Sequence, residues 1–184
     1  DNTDSTAVTI NVSDVYDEAP VLNVAATSAV SIAENTTAVA SYTATDDDAG
    51  DIVSWSLTGD DASLFDISDS GELTFVSAPD FETPGSAVSS NAYSLTITAT
   101  DAGDNTDSTA VTINVSDIYD EAPVLNVAAT SAVSIAENTT AVASYTVTDA
   151  DAGDTVSWSL TGDDASLFDI SDSGELTFVS APDF

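Results

Sequence analysis

The sequence repeats itself almost without change. The stretch from Asp1 to Phe81 reappears as Asp104 to Phe184, a shift of 103 residues (104 − 1). The two copies differ at four positions, which are Val15/Ile118, Ala44/Val147, Asp47/Ala150 and Ile52/Thr155. A fixed period of this length is typical of tandem arrays in which each repeat forms one structural unit.

The phase of the repeat divides the chain into three parts. Residues 1–18 correspond to the end of a repeat, residues 19–121 make one complete repeat, and residues 122–184 correspond to the first part of the next. We therefore expect a segment of a longer array. It would hold the last strand of a preceding repeat, one complete unit and a truncated following unit.

The charge of the chain restricts its partners. There are 33 Asp and Glu and no Lys, Arg or His, where average composition would supply roughly 20 Lys and Arg. Without cations the chain cannot neutralise phosphates, so nucleic acid and anionic membrane surfaces are excluded as partners. No apolar run approaches the ~18 residues that a spanning helix needs, so we expect no membrane insertion. The hydrophobic content of 42% is ample for a packed core.

The hydrophobic pattern is that of β-strands. Apolar and polar residues alternate in Val8–Val12, Val53–Leu57 and Tyr93–Ile97, and Gly-Asp and Ser-Gly clusters separate the segments. Seven short strands in about 100 residues predict an all-β, immunoglobulin-like sandwich, repeated in tandem. These strands lie near Val21–Ile32, Ala38–Thr45, Val53–Leu57, Leu64–Ile67, Leu73–Val76, Tyr93–Ala99 and Thr109–Val115.

Most of the aromatic residues share the register of these strands. Tyr42, Trp55, Phe65, Phe75 and Tyr93 fall on or beside predicted strands. We expect them in the core, because Trp55 and Tyr93 alternate in phase with apolar neighbours. A carbohydrate-stacking platform is the alternative.

Acidic residues concentrate in the loops at the ends of the predicted strands. Alternate connections of a sandwich gather at the same end, so several carboxylates can meet where one unit runs into the next. The set is Glu34, Asp80, Glu82, Asp117 and Asp120, faced by Asp149 and Asp151 of the following unit. Such a cluster needs cations, and many hard oxygen ligands suit Ca²⁺. Zinc and copper would lack their usual His and Cys ligands.

Five motifs resemble, in order, the calcium-binding motifs of cadherin repeats. They are Ala33-Glu34-Asn35, Asp46-x-Asp48, Asp80-Phe81-Glu82, Asp101, and Asp117-Ile118-Tyr119-Asp120-Glu121-Ala122-Pro123. The stretch 62–82 is similar to the bacterial cadherin-like repeats of giant secreted adhesins. The resemblance extends over the whole repeat and implies tandem cadherin-like sandwiches.

The resemblance also implies a role for each matched position. Ligands on the upstream side of a junction would be Glu34, Asp80, Glu82 and Asp120, with Asp117 and the carbonyl of Ile118 as further ligands. The following unit would donate Asp149 and Asp151. At the preceding junction the set would be Asp14, Asp17, Asp46, Asp48 and Asp101. Tyr119 and Glu121 stand where the family usually has Asn, so we expect two ions at a junction.

Composition and resemblance together predict a structural role. We expect no enzyme, because the chain has no His, Cys or Lys and its carboxylate pairs sit at junctions beside no predicted cleft. The prediction is a calcium-rigidified extender of an extracellular bacterial adhesin or surface fibre, whose partners are calcium and neighbouring repeats.

Three alternatives stay open. One is a carbohydrate- or protein-binding module that uses the insert Glu82–Asn91. Another is a filament with homophilic contacts, in which residues 1–18 pair with a neighbouring chain. A third is a salt-adapted, solvated acidic surface. Acidic residues outside the motifs, namely Asp60, Asp61 and Asp104, are expected to be solvated turn formers.

Overall fold

The structure, a computed structural model, describes residues 1–13, 15, 17–24, 27–48, 50–127 and 131–184. The chain divides into two compact units, residues 1–116 and residues 117–184. The described residues carry strands and two single turns of 3₁₀-helix, Ala62–Leu64 and Ala165–Leu167. The all-β prediction is therefore confirmed. The predicted division of the chain into three parts of a longer array stays a prediction.

The described part of the first unit contains nine strands. Their bounds are β1 (Val21–Leu22), β2 (Thr27–Ala33), β3 (Ala38–Ser41), β4 (Ala44–Thr45), β5 (Ser54–Thr58), β6 (Phe65–Ile67), β7 (Glu72–Phe75), β8 (Ala92–Thr100) and β9 (Thr106–Ser116). One sheet has the order β2-β9-β8-β5, a second has the order β3-β7-β6, and β1 pairs with β4. The first and last of the longer strands, β2 and β9, run parallel in register from Thr27↔Ala110 to Ala33↔Ser116.

The core lies between the two larger sheets. The inward residues of β8 and β9 pair across the four-stranded sheet, as in Tyr93↔Ile113 and Leu95↔Val111. From the other sheet, Phe65 and Phe75 meet Tyr93 edge to face at centroid distances of 6.1 and 5.1 Å. Each large apolar side chain buried in this way contributes about 1.5–3 kcal/mol. The predicted aromatic core is present, with Trp55 half-buried against it.

The second unit reproduces part of this architecture. Its strands are β10 (Val124–Leu125), β11 (Ala141–Ser144), β12 (Val147–Thr148), β13 (Phe168–Ile170) and β14 (Glu175–Phe178). Strand order β11-β14-β13 and the pair β10-β12 match β3-β7-β6 and β1-β4. The pairing Ala141↔Thr177 likewise matches Ala38↔Thr74. Near-identical sequences therefore make near-identical local structure.

Two predicted strands are interrupted in the structure. The segment predicted at Val21–Ile32 forms β1, which pairs with β4, and β2, which pairs with β9. The segment predicted at Ala38–Thr45 forms β3, which pairs with β7, and β4, which pairs with β1. Each breaks because its two halves pair with different partners, and Tyr42 at the second break donates its backbone N–H to Gly71 instead.

The strand predicted at Val8–Val12 does not form. Residues 1–13 have no regular secondary structure and are exposed. Their sequence is identical to residues 104–116, where β9 lies between β2 and β8. The strand therefore depends on the two neighbours that complete its hydrogen bonds, and residues 1–13 pair with no described strand.

Asp61 has a structural role that its sequence context did not indicate. We predicted a solvated turn former, but the side chain is only 3% exposed. Its Oδ1 accepts the backbone N–H of Ala87 at 2.7 Å, and its Oδ2 accepts that of Ser94 at 2.7 Å. The carboxylate thus ties the 82–91 insert to β8. The prediction was wrong because the side chain turns inward to donors that are 26 and 33 residues away.

Asp61→Ala should lower the free energy of unfolding by about 2–4 kcal/mol, because it leaves two buried N–H groups without an acceptor. Urea denaturation of the full chain measures this loss. The control is Asp60→Ala, which changes an exposed residue and should stay within about 0.5 kcal/mol of the parent. Equal effects of the two substitutions would show that the Asp61 contacts contribute nothing.

Candidate metal centre

One carboxylate cluster in the first unit joins the segment before β1 to the loop after β4. One oxygen each of Asp17, Glu18 and Asp48 lies within 4.8 Å of the others. The backbone N–H of Glu18 donates to Oδ2 of Asp48 at 3.2 Å. Asp48 is only 4% exposed. Its charge is therefore held close to two further acidic groups.

A second cluster lies in the same loop. One oxygen each of Asp46, Asp51 and Asp101 lies within 4.8 Å of the others. Asp101 is buried at the end of β8, where Asn105 donates to it through its backbone N–H at 2.7 Å and its side-chain amide at 2.8 Å. Oδ1 of Asp46 accepts the N–H of Asp48 at 2.9 Å, whereas its Oδ2 is buried without a hydrogen-bond donor.

The second unit repeats this loop. Asp151 accepts the N–H of Glu121 at 3.1 Å and donates its own N–H to Asp149 at 3.1 Å. One oxygen each of Asp149, Asp151 and Asp154 lies within 4.8 Å of the others. Oδ1 of Asp151 and Oδ2 of Asp149 are buried and accept no hydrogen bond.

A third group of acidic residues lies at the opposite end of the first unit. Glu34 follows β2 directly, is buried, and donates its N–H to Ser116 at the end of β9. Its Oε2 accepts the N–H of Phe81 at 2.7 Å. This bond holds Glu34 beside the 80–82 loop. Glu137 makes the equivalent bond to Phe184 at 3.1 Å in the second unit.

The predicted ligands can now be placed within each unit. The structure brings Asp17 to Asp48, Asp46 to Asp101, Glu34 to the loop of Asp80 and Glu82, and Asp149 to Asp151. Asp14 lies outside the described residues. Asp117, Ile118 and Asp120 belong to the second unit. Their convergence with the Glu34 group stays a prediction.

Sequence reasoning missed three members of these clusters, Glu18, Asp51 and Asp154. The available signal was the spacing Asp46-x-Asp48-x-Gly50-Asp51, which recurs at 149–154. Gly50 and Gly153 adopt φ of 90° and 97°, a conformation that suits glycine. The turn brings the sixth residue back, since Asp51 donates its N–H to the carbonyl of Asp48 at 3.2 Å.

Like charges at this distance alter the acidity of the cluster. Hydrogen bonding to Asp48, together with the negative charge of Asp17, raises the pKa of Glu18 from 4.5 to about 7. The chain has no basic side chain that could counter this repulsion.

The donor set fits calcium. The clustered ligand atoms are carboxylate oxygens, which Ca²⁺ binds at 2.3–2.6 Å. Two oxygens on one such ion can therefore stand up to about 5 Å apart. Buried oxygens that accept no hydrogen bond leave coordination capacity at Asp46, Asp149 and Asp151. Neither His nor Cys is present to favour zinc.

Comparisons with known proteins bear on the fold of the chain. Residues 28–116 match the family model of the cadherin domain. A crystal structure of mouse cadherin-23 EC22-24 is similar to this chain, with 27% sequence identity and a TM-score of 0.67. The match covers 92% of this chain and 56% of that one. A structure of protocadherin gamma B2 domains 3-6 is 27% identical, covering 94% and 45%, with a TM-score of 0.64. The predicted cadherin-like fold is therefore confirmed.

A third structure, human protocadherin-24 EC1-2, shares the fold at 22% identity and a TM-score of 0.71, covering 91% of this chain and 79% of that one. The chain spans about half the length of the cadherin-23 fragment. No curated protein sequence matches it. Among the described residues, no helix has the length and apolar character required to cross a bilayer.

The raised pKa of Glu18 predicts how stability depends on pH when calcium is removed. The folded chain holds this proton more tightly than the unfolded chain does. The stabilisation is therefore complete below about pH 4.5 and is lost as the pH rises through about 7. Thermal unfolding in chelator should show the loss, and Glu18→Gln should flatten this part of the profile. A Gln variant with the parent's full pH dependence would refute the assignment.

Proposed function

We propose that this chain is a calcium-binding structural repeat of an extracellular adhesion protein, acting as an extender. Cadherin domains are adhesion modules that work outside the cell and bind Ca²⁺. The observation that carries the proposal is the recurring loop in which a buried Asp, Asp48 or Asp151, receives an N–H from the preceding segment.

Hydrogen bonds within the chain position the carboxylates of these sites. Backbone N–H groups hold Asp46, Asp48, Asp149 and Asp151 in fixed orientations. Their remaining oxygens lie in carboxylate clusters, and the chain has no Lys or Arg to balance that charge. Calcium, when bound, would supply that positive charge. It would thereby fix the loop after β4 to the segment before β1.

The extender role rests on the tandem repeat and the short connection between copies. Residues 119–123 lead from one copy to the next, and Pro123 restricts the preceding residues to extended conformations. Following the sequence resemblance, we propose that ions at the ends of a unit also take ligands from the adjoining repeat. The similarity of residues 62–82 to bacterial repeats favours a giant secreted adhesin or surface fibre as the parent protein.

Chelation should lower the melting temperature of the chain, because removing the ions leaves the clustered carboxylates to repel one another. An ion that binds only the folded state adds about 2.7 kcal/mol at 100 times its dissociation constant. Calorimetry with calcium and with chelator, both at low ionic strength, measures the difference. Magnesium at equal concentration is the control for general charge screening, and a melting temperature unchanged by calcium would sink the proposal.

Calcium should also hold successive repeats extended. A fusion of several units would gain on the order of 40 Å per unit, as expected from strands rising ~3.3 Å per residue plus loops. Small-angle scattering measures the maximum dimension. Chelation should shorten it while circular dichroism keeps the β signal, because the apolar core does not depend on the metal. A maximum dimension that does not change with calcium would favour the binding-module alternative.

A further inference from the structure

We infer that Asp51 and Asp154 are calcium ligands, and that the loop following β4 or β12 holds an ion with oxygens from its own unit. This inference rests on the proposed calcium-binding function. It adds to that function a ligand pair outside the motifs that carry the family resemblance.

The loop geometry supports a site with three carboxylates. In the first unit, oxygens of Asp46, Asp51 and Asp101 lie within 4.8 Å of one another, and in the second unit those of Asp149, Asp151 and Asp154 do so. The pair common to both groups is Asp46/Asp51 in one copy and Asp149/Asp154 in the other. Oxygens bound to one Ca²⁺ ion stand up to about 5 Å apart, so each group matches a single ion.

An independent observation points to a ligand in the second unit. Asp151 is only 3% exposed, and its Oδ1 is buried without a hydrogen-bond donor. A buried carboxylate oxygen without a partner is costly unless a cation or a proton meets it. Oδ2 of Asp149 is in the same condition. Both side chains belong to the group that contains Asp154.

Asp51 and Asp154 also offer ligand oxygens in a chain that lacks one oxygen that the family usually supplies. Tyr119 stands where the family usually has an Asn, and a phenol cannot supply an amide oxygen. Asp51 lies in the loop after β4 and Asp154 in the loop after β12, and each offers a carboxylate there. All three ligands of each group lie in one unit.

Asn substitutions on the full chain test the inference. Asp51 accepts the N–H groups of Ile52 at 2.6 Å and Ala102 at 3.1 Å, and Asp154 accepts that of Thr155 at 2.6 Å. Asp51→Asn and Asp154→Asn, singly and together, keep one oxygen acceptor, remove the charge and replace the second carboxylate oxygen with an amide NH2 group. The control is Asp47→Ala, because Asp47 is exposed and the second copy already has Ala150 there.

Isothermal titration with calcium and melting in calcium and in chelator are the measurements. Each Asn substitution should weaken one class of ions at least about tenfold. It should reduce the gain in melting temperature from calcium while leaving melting in chelator unchanged or higher, because repulsion falls. Asp47→Ala should bind calcium as the parent does.

The possible results separate this inference from the proposed function. A parent chain that binds no calcium overturns both. A parent that binds calcium, with Asn variants of unchanged affinity, overturns the inference alone. Asn variants that melt earlier by the same amount in calcium and in chelator would show Asp51 and Asp154 to be structural acceptors, which also overturns it.

Discussion

The structure depends on how a chain of net charge −33 with no basic side chain accommodates its buried carboxylates. Backbone N–H groups are the first solution: Phe81 donates to Glu34, and Ala87 and Ser94 donate to Asp61. Such bonds satisfy particular oxygens but carry no compensating unit charge. Where several carboxylates converge, as around Asp48, only a proton or a dissolved cation can supply it. The folded chain thus depends on protons or cations from the solvent to balance its clustered carboxylates.

The sandwich fold explains why the clustered acidic residues lie in the loops. Strands β5 and β8 alternate apolar side chains toward the core with mostly Ser and Thr on the other face, so these strands offer few positions to an acid. Asp101, at the end of β8, and Asp46, directly after β4, stand where strands terminate. The packing of the core therefore decides where negative charge accumulates, and it gathers at the ends of the unit.

Much of the fold was predictable because strand alternation and the repeat are local features of the sequence. The switch of Tyr42 and its neighbours from one sheet to another was not, because it depends on which distant strand completes each hydrogen bond. The role of Asp61 was missed because its donors lie 26 and 33 residues away. Asp51 was missed because its participation depends on the turn at Gly50, which a comparison of motifs does not reveal.

The parallel pairing of β2 with β9 has a consequence for folding kinetics. The two strands are separated by more than 80 residues (110 − 27 = 83), and closing so long a loop makes folding slow. Residues 7–13 have the same sequence as residues 110–116, the partners of β2. While a unit is still folding, two identical segments can therefore compete to pair with β2, and such mispairing is a typical failure of repeat proteins. Near-identity between copies therefore makes the order in which strands become available during synthesis a determinant of correct pairing.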